Sequence, residues 1–118
     1  MLVVTEHDFE AAHRLPGHPG ACANLHGHHY RFEVQVAGSP DSQSGMVIDF
    51  AALDRLVHEK VIQELDHRDL NEVLPNPTAE AIVGWIWRRL APCLDGLALI
   101  RLWETPRYSV ICTGDAPR

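Results

Sequence analysis

Tyr30, Phe32, Val34 and Val36 alternate with Arg31, Glu33 and Gln35, and a period of two commits this stretch to a β-strand with one buried face. The same parity runs back across Gly27 to His28 and His26. Residues two apart on a strand project to one side, about 6.5–7 Å from each other, so both imidazoles can aim at one ion at the end of the buried face. A bulge at Gly27 would break that phase. A third histidine, His13, follows Phe9-Glu10-Ala11-Ala12, where a strand that begins at Leu2-Val3-Val4 runs out. Three neutral nitrogens are the usual protein share of a catalytic zinc, whose fourth position stays open for water or substrate.

The rest of the chain supplies the layers such a sheet needs. Asp49 is an N-cap for a helix carrying Phe50, Leu53, Val57, Val61 and Leu65, which runs into Asp66-His67. A second helix starts at Thr78, with Pro77 holding Asn76 extended before it and Glu80 complementing its positive end. Its apolar stripe is Ile82, Val83, Ile86 and Leu90, widened by Trp85 and Trp87, and it ends near Pro92. Two further strands, Leu97 to Glu104 and Tyr108 to Cys112, meet at Thr105-Pro106-Arg107, while residues 38–45 form a loop by composition. The order strand, strand, helix, helix, strand, strand predicts an α+β domain spanning residues 1–118, a four-stranded antiparallel sheet with two helices on one face. Its uncovered face and edges point to oligomerisation.

At 118 residues and 46% hydrophobic content the chain suits one domain with a real core. It has no apolar run near the ~20 residues of a membrane span and no signal-peptide pattern, so a cytoplasmic protein is expected. The odd, widely spaced cysteines, Cys22, Cys93 and Cys112, argue against a disulfide framework and for a reducing compartment. A net charge of −6 without clustered Lys or Arg disfavours nucleic acid as a partner. An anionic small substrate would need a local basic pocket, and Arg14, Arg31, Arg68 and Arg107 are scattered.

Several groups carry two readings each. Cys22, four residues before His26, is either a small buried residue like Cys93 and Cys112, a fourth ligand closing a structural zinc site, or a thiolate that moves protons. Asp66-His67 is either a helix C-terminus, where a histidine complements the dipole, or a carboxylate–imidazole set for proton transfer. Adjacent side chains rarely bond each other, so the two are expected to act on different neighbours. Glu104 ends an apolar strand, where a carboxylate needs a partner: an arginine, or the bidentate edge of a heterocycle, with Thr105 and Thr78 as further hydrogen-bonding groups.

Seven segments in this order, Phe9-Glu10-Ala11-Ala12-His13-Arg14-Leu15, Cys22-Ala23-Asn24-Leu25-His26-Gly27-His28, Gly45-Met46-Val47-Ile48-Asp49-Phe50, Leu65-Asp66-His67, Leu70-Asn71, Asn76-Pro77-Thr78-Ala79-Glu80 and Glu104-Thr105, resemble the 6-pyruvoyl-tetrahydropterin synthase family. The three residues between Cys22 and His26 look like its bacterial carboxy-tetrahydropterin branch, which serves queuosine synthesis. The pyruvoyl branch has a longer gap, and a folate-related branch has a glutamate in place of the cysteine. The resemblance implies the tunnelling fold, zinc on His13, His26 and His28, Cys22 as the base, and Asp66 and His67 as the rest of the proton-transfer set. It also implies Glu104 as anchor of the pterin edge, and a homohexamer of two stacked trimers with active sites between subunits. The implied reaction takes 7,8-dihydroneopterin triphosphate to a six-carboxylated tetrahydropterin, acetaldehyde and triphosphate. Rivals are a pyruvoyl-forming or folate-type enzyme of the same family and a non-catalytic zinc- or pterin-binding module.

Overall fold

A computed structural model describes residues 1–115. Strand β1 (Leu2–His13) pairs antiparallel with β2 (His26–Ala37). Strand β2 pairs antiparallel with β4 (Leu97–Thr105), and β4 with the edge strand β5 (Tyr108–Cys112). A two-residue strand, β3 (Arg68–Asp69), lies parallel to β1 on its other side, giving the order β3-β1-β2-β4-β5. The sheet is therefore five-stranded and mixed, not four-stranded and antiparallel. Two residues cannot display an alternation, so nothing in the sequence pattern announces β3. The α+β class and the helices' place on one face are as expected.

Helix α1 (Phe50–Val57) opens on Asp49, whose carboxylate accepts from the Ala52 amide at 2.9 Å. It continues as a π-helical segment (His58–Ile62) into α2 (Gln63–Leu65). Helix α3 (Ala79–Leu90) opens on Thr78, whose hydroxyl accepts from the Ala81 amide at 3.1 Å. Leu53, Val57, Val61 and Leu65 from the first helical run and Ile82, Val83, Ile86 and Leu90 from α3 are buried. They pack on Phe9, Tyr30, Phe32, Val34, Ile100 and Leu102 of the sheet. Each such side chain removed from water stabilises the fold by about 1.5–3 kcal/mol. Phe50 is the exception to its predicted stripe: in the first turn, before the helix reaches the sheet, it stays exposed.

The register of β1 on β2 runs unbroken from Leu2↔Ala37 to His13↔His26, so Gly27 carries no bulge and the histidines keep the phase of the core. The irregularities fall instead at Gln35/Val36 and Trp103/Thr105. At the far end of the sheet Gly96 has φ +86, and a Cβ there would collide with the Ala37 carbonyl. Only glycine lets the chain enter β4 so close to β2.

The opposite face of the sheet carries charge pairs, among them Arg31–Glu6 at 3.1 Å and His29–Asp8 at 3.1 Å. Trp103 is only 8% exposed there, because the guanidinium groups of Arg31 and Arg101 lie 3.9 and 4.4 Å from its ring centre. All three cysteines are free, but Cys93 is exposed, contrary to its expected burial. It ends the short turn that leaves α3, where the chain comes to the surface.

Candidate metal centre

Strand register brings the three histidines together. His13 lies opposite His26, and His28 is one inward-facing position further along β2. One ring nitrogen from each lies within 4.8 Å of the others. His13 is fully buried, and its Nδ1 donates to the Pro77 carbonyl at 2.7 Å. The Nδ1 of His26 likewise donates to the Asn24 carbonyl at 2.7 Å. With both Nδ1 protons so committed, each Nε2 presents a lone pair, and those two atoms face each other at 3.0 Å. Two lone pairs at that distance repel unless a metal ion or a proton sits between them. The His28 Nε2 is buried with no hydrogen-bond partner. Burial holds the His28 ring below its ordinary pKa of 6.5, aided by His13 and His26 and opposed by Glu104, which favours the neutral form a metal ligand requires. The donor set therefore fits a divalent cation such as zinc, with carbonyls in the outer shell fixing the tautomers.

Tyr30 lies under this group, fully buried and stacked on Phe9 at 4.9 Å between ring centres. Its hydroxyl is 3.3 Å from His13 Nδ1, and burial followed by the charge of Glu104 pushes its pKa above the ordinary 10. Tyr30 is a neutral wall of the site.

Cys22 lies outside the three-histidine group among the described residues. It is half-buried in a short 3-10 turn (Ala21–Ala23) of the β1–β2 connection, held where the Leu15 amide donates to the Cys22 carbonyl at 2.8 Å. Glu104 Oε1 is 3.5 Å from His28 Nε2, so its neighbour is an imidazole and not the arginine considered from sequence. Glu104 and Thr78 line one cavity of about 350 Å³ with Leu15, Tyr108 and Val110, a volume within the small-molecule range. The Thr105 hydroxyl accepts from the Arg107 amide at 3.2 Å, in the turn into β5.

Asp66 and His67 do bond each other, contrary to the sequence expectation, at 3.0 Å between Asp66 Oδ1 and His67 Nδ1. The physical reason is backbone geometry. His67 has φ 58, and this left-handed turn folds its ring back onto the preceding carboxylate. The Glu10 amide donates to Asp66 Oδ1 at 3.0 Å and the His67 amide donates to the Glu10 carbonyl at 2.6 Å. The Glu10 bond is the main cause holding the Asp66 carboxyl below its usual range. His67 lines a cavity of about 620 Å³ that also takes in His28, His29 and Arg68.

Sequence patterns pointed to the three imidazoles and missed what orients them. The Pro77 and Asn24 carbonyls are main-chain atoms that no residue type advertises. Tyr30 was legible only as one more member of an apolar stripe.

Fold and site together define an α+β enzyme domain with a three-imidazole group able to hold a metal ion beside a small-molecule cavity. The sequence profile described as 6-pyruvoyl tetrahydropterin synthase matches residues 2–115. The chain belongs to this family. It is 40% identical to the 6-carboxy-5,6,7,8-tetrahydropterin synthase of Synechocystis sp., over 88% of this chain and 86% of that one. It is also 37% identical to the dihydroneopterin monophosphate aldolase of Pyrococcus furiosus, over 92% and 93% of the two chains. Among solved structures, the 6-pyruvoyl tetrahydropterin synthase of Caenorhabditis elegans superposes with a TM-score of 0.85 at 28% identity, covering 98% of this chain and 97% of that one.

Proposed function

We propose that this single-domain chain is a zinc-dependent carbon–carbon lyase converting 7,8-dihydroneopterin triphosphate and water to 6-carboxy-5,6,7,8-tetrahydropterin, acetaldehyde and triphosphate. This is an early step of queuosine synthesis, carried out in the cytoplasm by a homohexamer with active sites between subunits. The observation that carries the reading is the pair of Nε2 lone pairs of His13 and His26 facing each other at 3.0 Å with both Nδ1 protons donated elsewhere. Support for the branch comes from the three-residue spacing of Cys22 and His26 and from the relatives that bear the carboxy-tetrahydropterin name.

His13, His26 and His28 would hold the ion, which when bound supplies Lewis-acid polarisation of the substrate's side-chain oxygens. Cys22 takes the proton from the substrate's side-chain carbon. Asp66 accepts the Nδ1–H of His67 and thereby leaves His67 Nε2 as the atom that moves a proton. Glu104 receives the amino-pyrimidine edge of the pterin as a bidentate acceptor, and the Thr78 hydroxyl, already accepting from Ala81, donates toward the same cavity. Each proton-transfer group contributes about a hundred- to ten-thousandfold in rate.

The test is incubation of zinc-loaded protein with 7,8-dihydroneopterin triphosphate and mass analysis of the products. Acetaldehyde with the six-carboxylated pterin supports the reading. Glycolaldehyde would instead support side-chain cleavage of the aldolase kind, a second reading favoured by the similarity to the Pyrococcus furiosus protein. His26→Ala should lose both zinc and turnover. Cys22→Ala should keep zinc and lose turnover; loss of the metal from that variant would make the centre a closed structural site.

A further inference from the structure

The Asn71 side chain bonds both backbone groups of one residue next to the site. Its Oδ1 accepts from the Arg14 amide at 2.9 Å, and its Nδ2 donates to the Arg14 carbonyl at 3.0 Å. The opposite amide orientation would set donor against donor and acceptor against acceptor, so the pattern fixes which way the group points. The carboxamide thus stands in for one more residue of a neighbouring strand. It extends the ladder that β3 makes with Ala11 and Ala12 past the point where β1 ends at His13.

Arg14 is flanked by two parts of the site. On one side is His13, whose ring is anchored to Pro77. On the other is Leu15, whose amide holds the carbonyl of Cys22 at 2.8 Å. A strand end without a partner frays, and fraying here would move the His13 ring and the Cys22 turn together. Asn71 is itself fixed: its amide donates to Asp69 Oδ1 at 3.0 Å, and the neighbouring Leu70 is fully buried.

We propose that Asn71 is a positioning residue of the metal site, its carboxamide clamping the Arg14 peptide so that His13 and Cys22 are held on either side. The proposal rests on the reading of His13, His26 and His28 as ligands. Groups bonded directly to metal ligands change metal affinity by about 10- to 100-fold; Asn71 acts one peptide further out, so the loss expected for Asn71→Ala is about 10-fold, the low end of that range.

The experiment measures zinc affinity by chelator competition, and the visible absorption of the cobalt-substituted protein, well below the unfolding temperature. Asn71→Ala and Asn71→Asp are compared with wild type. The aspartate keeps the acceptor for the Arg14 amide and loses the donor to its carbonyl, and it decides the question if the alanine variant does not fold. Leu94→Ala, buried at the other end of the fold near Gly96, serves as a destabilised control. Weakened zinc binding with an altered cobalt spectrum in the Asn71 variants, and wild-type metal behaviour in Leu94→Ala, support the clamp. Wild-type affinity and spectrum in both folded Asn71 variants, or equal losses in the control, overturn it. A wild-type protein that takes up neither ion overturns the ligand reading and the clamp with it.

Discussion

His67 holds a left-handed backbone, φ 58, that costs a residue with a Cβ about 1–2 kcal/mol. Its amide bond to Glu10 and its ring's bond to Asp66 keep it there. Its side chain is 76% exposed, so the ion pair with Asp66 adds little to stability. Strain held in place at a candidate proton-transfer group suggests a residue kept for its chemistry. His67→Gly should therefore leave stability unchanged or raise it by up to about 1 kcal/mol, while turnover falls by a hundredfold or more, roughly the share of a general acid or base. Urea unfolding beside a product assay checks both halves; a clear drop in stability would sink the strain argument. The sequence shows Asp66-His67 as a dipeptide of suitable chemistry. It cannot show the bond between them, because that depends on a backbone angle set by Glu10, a residue far away in sequence. The three histidines were legible because strand parity and one register suffice to join them.

The first helical run buries Leu53, Val57, Val61 and Leu65, a strict spacing of four. In an α-helix of 3.6 residues per turn each such step drifts by about 40°, so the stripe would wind off the sheet. The π-helical segment His58–Ile62 corrects the drift: the Gln63 amide bonds the His58 carbonyl, five residues back, and the wider turn holds the extra residue. A spacing of four shows that a helix is there but not where it widens. The interruption leaves carbonyls short of partners, and Arg89 Nε on α3 donates to that of Lys60 at 2.9 Å. Arg89→Met keeps the apolar stem and removes the donor. It should cost about 1–2 kcal/mol, the range of a partly shielded charge-assisted bond, measured by urea unfolding; an unchanged midpoint would mean the π segment needs no such cap. Helix starts at Asp49 and Thr78 and the antiparallel strands were legible from caps and alternation. The two-residue β3 was not, since it exists only through the bonds between residues 66–69 and β1.

At the scale of the whole molecule, helices cover one face of the sheet and the histidine group points into that covered side. The Asp66–His67 dyad hangs on the β1 edge with His67 open to solvent. No bond or ion pair links the dyad to His13 or His26 among the described residues, although one cavity of about 620 Å³ is lined by both His28 and His67. Both sets can meet a single substrate in two ways: through that cavity within one chain, or across a contact in which one copy offers the dyad to its neighbour's Cys22. The second is the arrangement we propose, since it also covers an exposed face and the edge strand β5 with its exposed Tyr108 and Ile111. Mixing decides between them. Cys22→Ala and His67→Ala, each inactive alone, are unfolded together and refolded as mixed oligomers. If every site draws Cys22 from one chain and His67 from another, random assembly leaves both groups intact in about a quarter of sites, and turnover returns to about that fraction of wild type. If each chain builds its own site, every site in the mixture lacks one group and no activity returns.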